Sequence, residues 1–240
     1  MDSSPRARWR PAGAGTRPLV VAHRGVVGPA PENTLESISA AIAVGSDAAE
    51  LDVRRSGSGR LILAHDPLPA ARGALHPTPF PVGAPAPVEL ADALMLARGR
   101  LGLNLELKDP GLAADVAVVI SDLSSPQEIL VSSFLESEVE ALAQHLPECP
   151  TGLVRGALGV SGRGLPGVVR QALACGVTHL VIERHRARDR VLDGAVESGL
   201  QVLVWTVNQP TQLRRFLYDD RISGVITDHA GLALGLRAGG

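Results

Sequence analysis

His23-Arg24, Glu50-x-Asp52, His65-Asp66 and Glu106-x-Lys108 each stand at the end of a short apolar run. Buried strands normally end in turn residues, and ionisable groups are costly in a core unless paired. Four strand ends carrying His, carboxylate, His and carboxylate-plus-Lys therefore read as a built site. Glu50 and Asp52 are two apart, so on a strand both side chains point to one side, where like charges repel unless a cation lies between them. Glu106 brings a third carboxylate from another strand. Hard oxygen ligands without a thiolate suit one Mg²⁺ or Ca²⁺ ion rather than zinc. A single acidic strand end would be read as a helix cap or an Arg partner; three beside two histidines are not.

His23 and His65 titrate nearest neutrality and form the candidate acid/base pair. His76, His145, His179, His185 and His229 have no comparable setting. Lys108 is the only lysine among 23 Lys and Arg residues, so the other 22 are Arg. Its compact ammonium, two residues from Glu106, suits a phosphoryl oxygen beside a metal, and Arg24 is a second candidate clamp. Together these groups describe displacement at phosphorus: the anion is neutralised, a proton leaves the nucleophile and another reaches the departing oxygen.

The elements that must position them alternate between short apolar runs and helix-like segments. Pro31-Glu32-Asn33-Thr34 leads into Leu35–Ile42, with Asn33 or Thr34 as cap, one apolar face, and Gly45 as the stop. Further runs occupy 129–134, 151–154, 179–183, 201–208 and 224–228, with amphipathic stretches between them. Such a pattern predicts a parallel sheet covered on both faces. Nine strand candidates are one too many for an eight-stranded barrel. Only seven residues join Asp52 to Arg60, too few for a parallel crossover, so Ser56–Gly59 is read as a hairpin turn. The returning arm then lies beside Glu50 and Asp52 and carries His65 to them. Residues 67–88 are proline-rich and predict an irregular loop.

Composition narrows the class. The 240 residues suit one barrel domain, assigned to 19–236, after a frayed tail over 1–18. Hydrophobic residues make up 45% and aromatics only 2%, so Val, Leu, Ile and Ala must pack the interior. A net charge of -2 gives no electrostatic case for nucleic acid or an anionic membrane. No apolar run approaches the roughly 18 residues that span a bilayer. Cys149 and Cys175 suggest neither a metal site nor a disulfide framework. The expectation is a cytoplasmic protein; oligomeric state is not legible.

The runs Ala22-His23-Arg24-Gly25, Pro31-Glu32-Asn33-Thr34, Glu50-Leu-Asp52-Val, His65-Asp66-Pro67, Glu106-Leu-Lys108 and Trp205-Thr-Val-Asn208 resemble the glycerophosphodiester phosphodiesterase family over roughly residues 19–234. The resemblance implies an α/β fold, a (β/α)₈ TIM barrel, and metal-dependent hydrolysis of small-molecule glycerophosphodiesters to an alcohol and glycerol 3-phosphate, in lipid and glycerol metabolism. It implies that Glu50, Asp52 and Glu106 bind the metal, that His23 and His65 are the acid/base pair, and that Arg24 and Lys108 hold the phosphate. Glu32 and Asn33 match the helix-start motif beside the site. Trp205 and Asn208 match the last-but-one strand signature, where an indole packs on substrate or in the core. After Pro67 the family often carries an Arg-Thr-Thr stretch and a small inserted subdomain; Leu68-Pro69-Ala70-Ala71-Arg72 stands here instead, so no large insertion is expected. Two other readings share the barrel: a lysophospholipase D or cyclising phospholipase, and a non-catalytic phosphodiester-binding protein.

Overall fold

A computed structural model of the chain describes residues 9, 17–28, 30–67, 87–156 and 166–239. Its strands are β1 (Leu19–His23), β2 (Ala48–Arg55), β3 (Leu61–Leu63), β4 (Gly102–Leu107), β5 (Ile129–Ser133), β6 (Thr151–Arg155), β7 (His179–Glu183), β8 (Gln201–Trp205) and β9 (Gly224–Thr227). The sheet order is β1-β9-β8-β7-β6-β5-β4-β2-β3, and β1 also pairs with β2. That extra pairing closes eight parallel strands into a barrel, leaving β3 as an antiparallel arm on β2. The expected (β/α)₈ barrel with one returning hairpin is the observed architecture.

Helices α1 (Leu35–Val44), α2 (Leu90–Ala97), α3 (Ala113–Leu123), α4 (Glu136–His145), α5 (Gly167–Ala174), α6 (Asp189–Glu197), α7 (Pro210–Leu217) and α8 (Ala230–Ala238) alternate with the strands. Thr34, not Asn33, is the cap of α1: its hydroxyl accepts from Ser37 N, and Ser37 answers through the Thr34 N–H. Gly45, at φ 81°, ends the helix as expected.

Strand alternation splits the apolar residues into two packed bodies. Val20, Ala22, Leu51, Leu103 and Val204 face the helices in the large outer shell. Val21, Ala48, Leu130, Val154, Val181, Leu203 and Ile226 fill the barrel interior. Both faces are covered, which is why the strands read as continuous apolar runs.

Two expectations need correction. Within the segment read as a frayed tail, Trp9 is buried against the interior cluster. Its indole N–H donates to Glu128 O at 3.1 Å, and the ring meets His179 edge to face at 6.1 Å. An indole offers enough apolar area to be buried even where the surrounding composition is polar and proline-rich. The returning arm also carries Ala64, not His65, to Asp52: Val53 pairs with Leu63, and the Ala64 N–H bonds to Asp52 O at 3.0 Å. The turn is the predicted one, with Ser56 N bonded to Arg60 O at 2.8 Å and Gly59 at φ 87°. Residues 68–86 of the proline-rich stretch lie outside the described residues.

Candidate active site

The C-terminal ends of β1, β4 and β9 and the middle of the longer β2 supply the polar cluster. Ladder pairings His23↔Glu50 and Asp52↔Glu106 bring these side chains together on adjacent strands. Glu50, Asp52 and Glu106 each offer a carboxylate oxygen within 4.8 Å of the others. Glu50 and Asp52 are buried. Burial, with the charges of Asp52 and Glu106 added, pushes the Glu50 carboxyl well above its ordinary range. Burial also raises Glu106, against the opposing pull of Lys108. For Asp52 burial is again the largest influence, but Lys108, Asn33 and Arg24 outweigh it and hold the carboxyl below its usual value. Three crowded acids, two of them reluctant to ionise, form a donor set that fits a hard divalent cation.

Lys108 lies just past β4 and bridges two of these acids, with Nζ 2.9 Å from Asp52 Oδ1 and paired with Glu106. Burial lowers its affinity for a proton, yet Glu106 and Asp52 overcome this and keep it charged. Its ammonium also stands 6.0 Å from the centre of the Phe134 ring.

The turn after β1 shows why His-Arg-Gly and Pro-Glu-Asn-Thr travel together. Arg24 sits in the left-handed region at φ 55°, an uncommon position for a side chain with a Cβ. That turn directs its backbone N–H to Glu50 Oε2 at 3.1 Å, while its carbonyl accepts from Asn33 N and Ser37 Oγ, each at 3.0 Å. Gly25 follows at φ 80°, and a Cβ there would come within 2.4 Å of Ser37 Oγ. Asn33, also left-handed at φ 57°, pairs reciprocally with Asp52: its amide donates to Oδ2 at 2.9 Å and its carbonyl accepts the Asp52 N–H at 3.0 Å. Glu32 accepts from Arg24 Nη1 at 2.8 Å. Arg24 Nε is buried 3.4 Å from Asp52 Oδ2 yet has no hydrogen-bond acceptor among the described residues. A buried guanidinium donor left over beside three acids is suited to an anionic oxygen.

The two histidines differ. His23 Nδ1 lies 2.7 Å from Asp228 Oδ1, and its Nε2 lies 3.9 Å from Glu50 Oε2. Asp228 is held in turn by Asn208, whose amide donates to Oδ2 and whose carbonyl accepts the Asp228 N–H at 3.0 Å. The bond from His23 is the main cause of a lowered Asp228 carboxyl. At His65 the main chain is beside Asp52, through the Ala64 N–H to Asp52 O at 3.0 Å. The ring of His65 pairs with the exposed Asp66 at 2.9 Å, and no hydrogen bond or ion pair joins it to the three acids among the described residues. Trp205, at the end of β8, donates its indole N–H to Val181 O at 3.3 Å and meets Phe134 edge to face at 5.8 Å.

The structure thus gathers His23, Arg24, Glu32, Asn33, Glu50, Asp52, Glu106 and Lys108 into one network, ties Asn208 in through Asp228, and places Trp205 at the same end of the barrel. Asp228 is the functional-site candidate that sequence reasoning passed over. Its signal was visible: it ends an apolar run, Gly224–Thr227, as His23 and Glu106 end theirs.

The chain is similar to known proteins over most of its length. Residues 23–71 and 106–232 match the model of the glycerophosphoryl diester phosphodiesterase family. YhdW of Bacillus subtilis is 24% identical over 88% of this chain and 94% of its own length. A glycerophosphodiester phosphodiesterase of Caldanaerobacter subterraneus is 23% identical over 92% of this chain and 99% of its own. An Oleispira antarctica phosphodiesterase, solved with its product sn-glycerol-3-phosphate, superposes with a TM-score of 0.74 at 23% identity, covering 92% of this chain and 96% of the other. With the barrel, the acidic triad and a family match over most of its length, the chain belongs to the glycerophosphoryl diester phosphodiesterase family.

Proposed function

We propose that this protein hydrolyses glycerophosphodiesters to an alcohol and sn-glycerol 3-phosphate, using one divalent cation, Mg²⁺ or Ca²⁺. The observation that carries the reading is the cluster of Glu50, Asp52 and Glu106 within 4.8 Å, flanked by Arg24, Lys108 and His23. The three carboxylates would hold the cation, which when bound withdraws charge from a phosphoryl oxygen and eases ionisation of the nucleophile. Arg24 Nε and Lys108 Nζ offer donors for the phosphate oxygens, one as part of a fixed fork and the other as a point charge. His23 exchanges a proton at Nε2, because Nδ1 is engaged by Asp228. His65 serves the opposite proton transfer. Asn33 fixes Asp52, Glu32 steadies the Arg24 guanidinium, and Trp205 offers an apolar wall to the glycerol or the leaving alcohol. Residues 19–236 act as one unit, and two buried free thiols, Cys149 and Cys175, accord with a reducing, cytoplasmic setting.

A panel of choline, ethanolamine, inositol and glycerol diesters tests this reading, with glycerol 3-phosphate detected before chelation, after it, and after metal add-back. Turnover of at least one diester is expected, lost with chelator and regained with one hard divalent ion. Full-rate turnover by metal-free protein would remove the metal from the reading. No glycerol 3-phosphate from any diester would remove the reaction.

A further inference from the structure

His65 is asked to move a proton, yet its ring is half exposed and its partner is Asp66, whose side chain is 92% exposed. Exposed ion pairs hold side chains weakly, typically by no more than about 1 kcal/mol. The β2–β3 ladder stops at Leu63, and the last main-chain bond of the arm to β2, Ala64 N–H to Asp52 O, falls one residue before His65. Whatever places His65 must therefore act on its main chain.

One buried group does so. Arg54, near the end of β2, is 11% exposed at its side chain. Its Nε donates to His65 O at 3.0 Å, and its Nη1 pairs with Asp109 Oδ1. Asp109 is pinned from its other oxygen, which accepts the Arg55 N–H at 3.0 Å. It directly follows Lys108, whose own N–H donates to Val53 O at 3.0 Å. A planar guanidinium can serve an acceptor at its Nε and another at a terminal nitrogen in one fixed geometry, which an ammonium cannot reproduce.

We infer that Arg54 is the positioning residue for His65: it ties the carbonyl of the returning arm to the strand end that carries Lys108, and so sets the imidazole against the phosphate clamp. The inference rests on the reading of His65 as an acid/base group. Misplacement of a catalytic group by about 1 Å can cost on the order of 10²-fold in rate, so a loosened carbonyl at His65 should appear in kcat.

The experiment is a double-mutant cycle between Arg54→Gln and His65→Ala, on the full chain with saturating divalent ion and one glycerophosphodiester. Arg54→Gln is expected to lower kcat roughly 10- to 100-fold with KM within about threefold, and Arg54→Lys to fall between it and wild type. In the His65→Ala background either Arg54 substitution should change kcat less than about threefold, because its effect passes through a ring no longer there. Should Arg54→Gln fail to fold, Arg54→Lys carries the same cycle. If His65→Ala itself keeps wild-type kcat, the reading of His65 fails and takes the inference with it. If His65→Ala is severely impaired while the Arg54 variants are not, or if they lose the same factor in both backgrounds, Arg54 is structural and the inference is overturned.

Discussion

The two histidines stand in opposite regimes of order. His23 closes a chain of contacts, Asn208 to Asp228 to His23, that runs across the seam where β9 meets β1. His65 hangs from an arm whose ladder has ended, with a solvent-exposed neighbour as its ring's partner. The first is oriented by side chains on the barrel and the second by its own main chain. A site that must admit and release a diester gains from this division. On the proposed reaction the rigid half would fix where proton transfer at Nε2 occurs, while the ring of His65 would have more freedom to adjust.

The largest expected effects lie in the rigid half. His23→Ala should cut kcat by roughly 10²–10⁴-fold, the usual worth of general acid/base catalysis. Asp228→Asn should lose much of the same factor, and adding it to His23→Ala should cost little more. Steady-state kinetics of the three variants decides the matter: wild-type turnover by Asp228→Asn would put His23 in the same loose class as His65.

An intermediate effect is expected where the two halves meet, at Lys108, which touches Asp52 and Glu106 beside His23 and precedes Asp109 on the His65 side. Lys108→Arg keeps the charge but brings a larger, flat group into a crowded position. A fall of at least tenfold in kcat/KM, about 1.4 kcal/mol, is expected with little change in Tm. Unchanged kinetics would leave Arg24 as the sole phosphate clamp.

The smallest effect belongs to Asp66. An exposed pair contributes at most about 1 kcal/mol, so Asp66→Ala should keep kcat within roughly fivefold of wild type. A loss there as large as that of Asp228→Asn would erase the contrast between the histidines.

The contrast also marks what the sequence could and could not disclose. The barrel was legible because eight apolar runs alternate with helical ones, and the ninth strand was recognisable from a connection too short for a crossover. Chemistry-bearing strand ends were legible because His23, Glu50, Asp52, Glu106 and Lys108 violate the expectation for a core. The His23–Asp228 pair was not, since its partners are 205 positions apart and meet only when β9 closes on β1. The position of His65 on the returning arm was off by one residue because the turn was read over Ser56–Gly59, whereas Ser56 N bonds to Arg60 O and only the three residues between them turn. Arg54 and Asp109 carried no signal at all, because they meet only through the parallel pairing of β2 with β4, 55 positions apart in the chain.

Trp9 under the barrel and Trp205 at its mouth are the chain's two tryptophans. They give the molecule an optical reporter at each end. Trp205, beside Phe134 and near the proposed phosphate clamp Lys108, should change its emission as diester or product arrives, whereas Trp9, packed on His179, should respond to changes at the interior cluster. With Trp9 replaced by Phe the remaining signal reads the mouth of the barrel, and with Trp205 replaced it reads the packing around His179.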